Sequence, residues 1–146
     1  MSILRLTAEY RNGRTVIADT EFTAPLKIAS PFYRDGCTEV MMMAASAGIL
    51  DGDRYDIGIT VKKNAHLRFT AQSYSKIFKA SDSGAFQRVK ITVENGGSFV
   101  YMPCPVIPFG ESVFDTRTEV MLDEGSKFIM TDILSCGRTA MKERFE

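Results

Sequence analysis

Residues 46–79, SAGILDGDRYDIGITVKKNAHLRFTAQSYSKIFK, are the stretch on which the fold turns. Small residues and an acidic turn, Asp51-Gly52-Asp53, lead into strict alternation: Tyr55, Ile57, Ile59 and Val61 are separated by Asp56, Gly58 and Thr60. A period of two puts the apolar side chains on one face of a β-sheet. Lys63-Asn64 reads as a turn. Behind it Leu67, Phe69 and Ala71 alternate with His66, Arg68 and Thr70. Two such runs and a tight connection predict a β-hairpin. The second run ends in Gln72-Ser73-Tyr74-Ser75-Lys76, hydrogen-bonding side chains and a cation, before the apolar Ile77 and Phe78.

The same pattern repeats downstream. Ile91-Thr92-Val93, the turn Asn95-Gly96-Gly97, then Phe99 and Tyr101 form a second unit. Val120-Met121-Leu122, the turn Asp123-Glu124-Gly125, then Phe128 and Met130 form a third. The offsets, 32 and 29 residues, suggest stacked units that each bury a face against the next. The fold expected is all-β: a layered β-sandwich or β-helix-like stack of hairpins with little helix. A layered arrangement is preferred over a regular solenoid.

Upstream, alternation over residues 3–10, then Asn12-Gly13, then Thr15 to Phe22 predicts a hairpin, because both turn residues tolerate positive φ. Pro25 and Pro31 punctuate an extended connector, and Asp35-Gly36 is another turn. Thr38 to Ala47 reads as a strand buried on both faces, with a short helix as the alternative. Ser81 to Gly84 is a polar loop. Pro103, Pro105 and Pro108 cannot donate ladder hydrogen bonds, so Met102 to Gly110 should leave the sheet or follow an edge. Near the end, Met141 and Phe145 are four apart, the spacing of one helix face. A lone terminal helix is marginal without a docking surface, so open edges and this tail point to self-association.

Composition bounds the function. The 146 residues make one domain's worth, with 45% hydrophobic and 25% charged content. Lys+Arg and Asp+Glu are both 18, so no net charge draws the chain to nucleic acid or an anionic membrane. No apolar run approaches the ~20 residues that span a bilayer, and the first residues lack a signal peptide's apolar block. Three widely spaced cysteines make no disulfide framework, and a reducing, cytoplasmic setting is the simplest inference.

The motifs, taken in order, resemble the urease accessory protein family UreD, also called UreH. The carriers are small residues and Gly52-Asp53, a strand, Thr70-x-Gln72, and Ser75-Lys76-Ile77-Phe78. Ala24-Pro25-Leu26-Lys27 and Ser30-Pro31-Phe32-Tyr33 are similar to the family's upstream segments. Tyr101-Met102-Pro103, Ile107-Pro108-Phe109, Asp132 and Gly137-Arg138-x-Ala140 follow in its downstream order. The resemblance covers nearly the whole chain and implies a β-rich stack of two layers. Lys142 departs from the pattern where glycine is common, and Cys104 stands where a longer polar side chain is usual. Family members are longer, so residues 1–146 read as a single UreD-like β domain truncated at its C-terminus or as a short relative.

Asp51 and Asp53 flank a glycine and read either as a turn, with aspartate bonding its own backbone, or as a carboxylate pair at the mouth of a polar passage. Asp132 shares its strand face with Phe128 and Met130. If that face is the core, the carboxylate points inward and needs a partner, water or a cation; Lys76 and Arg138 are candidate partners. If the face is turned outward, it needs none. The resemblance implies a water-filled passage for nickel, with Asp53, Ser75 and Asp132 as its residues here and Asp51, Gln72, Lys76, Arg138 and Glu143 in support. His66, the single histidine, reads as solvated on an exposed face. Singly placed Cys37, Cys104 and Cys136 argue against a tight metal site, so nickel would be held transiently by oxygen ligands, with no tightly bound cofactor. No P-loop, G-x-G-x-x-G or G-x-S-x-G is present.

The resemblance thus implies a non-enzymatic scaffold of urease maturation. It would bind apo-urease and the accessory proteins UreF and UreG, with no nucleic acid or membrane partner. The alternative is a β-sandwich binding module for carbohydrate or protein without a metal role. A hydrolase using Asp53 and Asp132 is a third reading.

Overall fold

The structure is a computed structural model and describes residues 1–141. The chain opens with β1 (Ser2–Arg11) and β2 (Arg14–Phe22), an antiparallel hairpin. Its turn is Asn12-Gly13, with φ of 50° and 84°, the mirror-image geometry that matches strand twist. Then come β3 (Leu26–Ile28), β4 (Phe32–Arg34) and β5 (Cys37–Ala44), with β3 and β4 both antiparallel to β5. The run read from Thr38 is thus a strand. Only one of its faces is sealed, by Thr38 and Val40; Glu39, Met41 and Met43 are half-exposed.

From Arg54 the chain coils. The first coil is β6 (Arg54–Val61), β7 (His66–Ala71) and β8 (Ser75–Ile77). The second is β9 (Ala85–Val93), β10 (Ser98–Met102) and β11 (Val106–Pro108). The third is β12 (Phe114–Leu122) and β13 (Lys127–Met130), closed by a parallel bridge from Leu134 to Val106. Corresponding strands pair in parallel: Ile59 with Ile91 and Ile91 with Val120, Phe69 with Tyr101 and Tyr101 with Met130. These ladders carry the offsets of 32 and 29 residues expected of the repeat. Two large sheets result, in the orders β12-β9-β6-β1-β2 and β13-β10-β7-β5-β3, with a small third sheet, β11-β8.

The layered all-β stack is therefore as expected, but its coils stack in parallel register as in a solenoid, the arrangement given second place, and the hairpins expected within each unit are not formed. β6 and β7 lie in different sheets, as do β9 and β10, and β12 and β13. Asn64, Gly96 and Gly125, with φ of 60°, 69° and 70°, turn the chain through a corner from one sheet to the other. A left-handed residue bends the chain either way; it does not choose whether the returning strand pairs with its predecessor or crosses the core. Crossing lets both alternating runs point inward. At Gly96 an added Cβ would meet the Asn64 side-chain oxygen of the coil below, which would have to shift, and the positive φ itself favours glycine at this corner.

The core lies between the large sheets. Ala8, Val61 and Val93 stack near the corners, then Leu6, Ile59 and Ile91, then Leu4, Ile57 and Val89. Opposite them stand Val40, Leu67, Phe69, Phe99 and Tyr101. Each such side chain contributes about 1.5–3 kcal/mol by leaving water. The next inward row of the first sheet is different in kind: Tyr55 pairs with Gln87, and Gln87 with Thr116. Apolar packing thus gives way to polar side chains at one end of the sandwich. Pro103 and Pro105 start the departure from the second sheet there, and β11 leaves it to join β8, as the prolines predict.

Candidate functional site

Two cavities occupy that polar end. The larger, about 490 Å³, is lined by Tyr55, Gln72, Ser75, Lys76 and Cys104 together with Leu26, Met42 and Ile49. The smaller, about 70 Å³, is lined by Ser75, Gln87, Tyr101, Cys104, Thr116 and Asp132. Met42, Ile49, Ser75, Gln87 and Cys104 belong to both walls, so the cavities abut. The wall is built from all three sheets. Gln72 follows β7, where its N–H donates to the Met42 carbonyl (2.9 Å). Ser75 opens β8, its N–H bonded to the Pro105 carbonyl (2.9 Å). Gly48 lets the preceding loop close down on β8: an added Cβ would lie 2.5 Å from the Lys76 carbonyl oxygen.

Of the residues singled out from sequence, Gln72, Ser75 and Lys76 meet in the larger cavity, and Ser75 and Asp132 in the smaller. Asp53 reaches the larger one through Tyr55, whose hydroxyl donates to its Oδ2 at 3.0 Å. The same oxygen accepts the Leu50 N–H at 2.9 Å, closing the turn. Asp53 is thus both a turn residue and a neighbour of the cavity wall. Burial, and then the Asp53 carboxylate, push the Tyr55 hydroxyl pKa well up, so it stays a donor.

Asp51 turns away from the cavities. It accepts from the Ser81 N–H (3.0 Å) and hydroxyl (2.8 Å), the Asp82 N–H (3.1 Å) and the Gly84 N–H (2.7 Å). Those bonds, the Ser81 hydroxyl first, bring its pKa down to about 2. The carboxylate is spent on tying one coil to the next, which is the turn reading carried further.

Asp132 lines the smaller cavity but is exposed, since β13 is the outer strand of its sheet. The inward face is confirmed by Phe128, which packs against Phe99 at 5.9 Å. An exposed carboxylate on that face needs no buried partner, and Lys76 makes no salt bridge among the described residues. Arg138 lays its guanidinium over the Phe109 ring, 4.0 Å from the centroid. Glu143 lies outside the described residues. His66 is half-buried, and its Nδ1 is 2.7 Å from the Ser98 hydroxyl of the next coil, so it is not the freely solvated side chain expected.

Sequence reasoning missed Tyr55, Gln87 and Tyr101 as site residues. The available signal was a polar group at an inward position of the period-two pattern. Cys104 stood out only as a departure from pattern. Its thiol donates to the Gln72 carbonyl (3.2 Å) and bonds Ser75, and burial pushes its pKa up despite that second bond.

The donors here are hydroxyls, amides, one thiol and one carboxylate. Among the described residues no three His, Cys, Asp or Glu side chains converge. Such a wall offers single, scattered oxygen and sulfur donors rather than a chelating cluster of charged ligands. What decides the assignment is that residues 2–146 match the family described as UreD urease accessory protein. The chain belongs to the UreD family. It is 40% identical to the urease accessory protein UreD of Acetivibrio thermocellus over 99% of its length and 56% of that relative's. It is 37% identical to the urease accessory protein UreH of Helicobacter hepaticus, over 99% of this chain and 58% of the other. It is 35% identical to a urease accessory protein UreD of Streptomyces griseus, over 99% and 50%. As a UreD-family chain it therefore spans about half the length of these relatives. Among its described residues no helix is long and apolar enough to cross a membrane.

Proposed function

We propose that this chain serves urease maturation without catalysing a reaction itself. It binds apo-urease and the accessory proteins UreF and UreG in the cytoplasm, and provides part of a passage through which nickel moves toward the urease active site. The single observation that supports the passage is the pair of abutting cavities, which share Ser75 and Cys104 and run from Tyr55 to Asp132. Nickel is cargo here, held transiently by oxygen donors, and no tightly bound cofactor is needed. Self-association belongs to the same reading. β12 and β13 are the outer strands of their sheets, and Leu122, Ile129 and Met130 on them are exposed. Outer strands with apolar side chains seek a further strand.

The test is co-expression of the chain with urease subunits, UreF and UreG. Copurification with apo-urease, and lower nickel in urease matured with a Ser75→Leu chain, are the expected results. No copurification, or full nickel content with that variant, sinks the reading.

A further inference from the structure

Cys104 is the one sulfur-bearing donor common to both cavity walls that also carries an exchangeable proton; the other shared sulfur is the Met42 thioether. Beside it a second, independent feature points into the smaller cavity. Tyr101 is 2% exposed and lines that cavity. Its hydroxyl has no hydrogen-bond partner among the described residues, yet it is not sealed from solvent-accessible space. Cys104 and Asp132 line the same cavity as Tyr101, and burial first, then those two groups, push the Tyr101 pKa up. Ser75 bonds the thiol and supplies a third oxygen. A hydroxyl on a side chain this buried, reaching the cavity and unpartnered among the described residues, is a donor open to something that enters.

We propose that the junction of the two cavities is a site for a thiophilic divalent cation, with the Cys104 sulfur as anchor and Asp132, Tyr101 and Ser75 supplying oxygen. Binding replaces the Cys104 S–H bond with a sulfur–metal bond and releases the proton to solvent. Nickel is a borderline ion with a weaker preference for thiolate sulfur. An ion with stronger affinity for thiolate displaces the proton and stays. The site's consequence for maturation rests on the passage reading: a retained soft ion obstructs the junction. Its existence does not rest on that reading.

The probe is cadmium, read by the ultraviolet charge-transfer absorption of a cadmium–thiolate bond. The background is the Cys37→Ser/Cys136→Ser chain, which leaves Cys104 as its single thiol. We expect a saturable band in that chain, stronger with rising pH, and its loss when Cys104→Ser is added. Asp132→Asn should weaken the cadmium affinity, and excess nickel should not displace the bound ion. Circular dichroism establishes that each variant is folded. No band in the folded single-thiol chain, or an unchanged affinity in Asp132→Asn, overturns the site. A second arm loads the chain with cadmium before urease activation. Cadmium held at Cys104 with activation unimpaired leaves the site standing and refutes the passage; absent cadmium binding with Ser75→Leu still lowering urease nickel does the reverse.

Discussion

Asp51 and Ser81 lie thirty positions apart, and the Asp51 carboxylate accepts from both the N–H and the hydroxyl of Ser81. One side chain thereby fastens the loop that carries the chain from the first coil to the second. Its folded pKa, about 2, lies below the unfolded value of about 3.9. The folded chain therefore binds fewer protons here than the unfolded one. This contribution is complete above about pH 4 and is lost as pH falls through 2. Asp51→Asn should lower the denaturant midpoint at neutral pH and flatten its decline in acid. Equal acid sensitivity in variant and parent would remove Asp51 from the account.

Gly96 occupies a corner with φ of 69° and sits against Asn64 of the coil beneath. Gly96→Ala should destabilise by about 1–2 kcal/mol from the left-handed backbone alone, with a further loss as Asn64 shifts. Gly13→Ala, in a turn where an added Cβ meets nothing within 4 Å, should show only the backbone cost. Urea unfolding of the two variants separates the terms.

Phe99 is almost fully buried, with ring centroids 5.9 Å from both Tyr101 and Phe128. Phe99→Ala removes the layer joining the second and third coils and should cost about 3–5 kcal/mol. Cooperative unfolding at an unchanged midpoint would show that the coils do not depend on that layer.

For nickel transfer, Asp53→Ala leaves the Tyr55 hydroxyl without its carboxylate, and Asp132→Ala removes a wall residue of the smaller cavity. Each should lower the nickel content of matured urease while copurification with apo-urease persists. His66→Ala, whose ring is held by Ser98 outside both cavities, should leave nickel content unchanged. Metal analysis of purified urease distinguishes these outcomes.

Self-association through the outer strands is readable by sedimentation across a concentration series. A dimer that dissociates when Ile129→Lys is introduced on β13 is expected; a monomer at all concentrations would refute it. Ile129 is 60% exposed, so the substitution should not disturb the core.

By itself the sequence determined the strands, the places where the chain turns, the repeat and the family. Period-two alternation from Tyr55 to Val61 is a local property of the chain, and so is the tolerance of Asn12, Gly96 and Gly125 for positive φ. The offsets of 32 and 29 residues were legible because each coil meets the same burial requirement as the one before. Which strand pairs with which was decided only by the tertiary structure. Asn64 bends the chain equally well into a hairpin or around a corner; the parallel ladder from Ile59 to Ile91 settles the matter through hydrogen bonds between residues 32 positions apart. The site follows the same division. Ser75 and Asp132 could be named from motifs, whereas Cys104 and Tyr101 became site residues only when coiling brought β8, β10 and the proline segment around one polar space. A side chain's burial and neighbours belong to the stack as a whole, and no stretch of chain contains them.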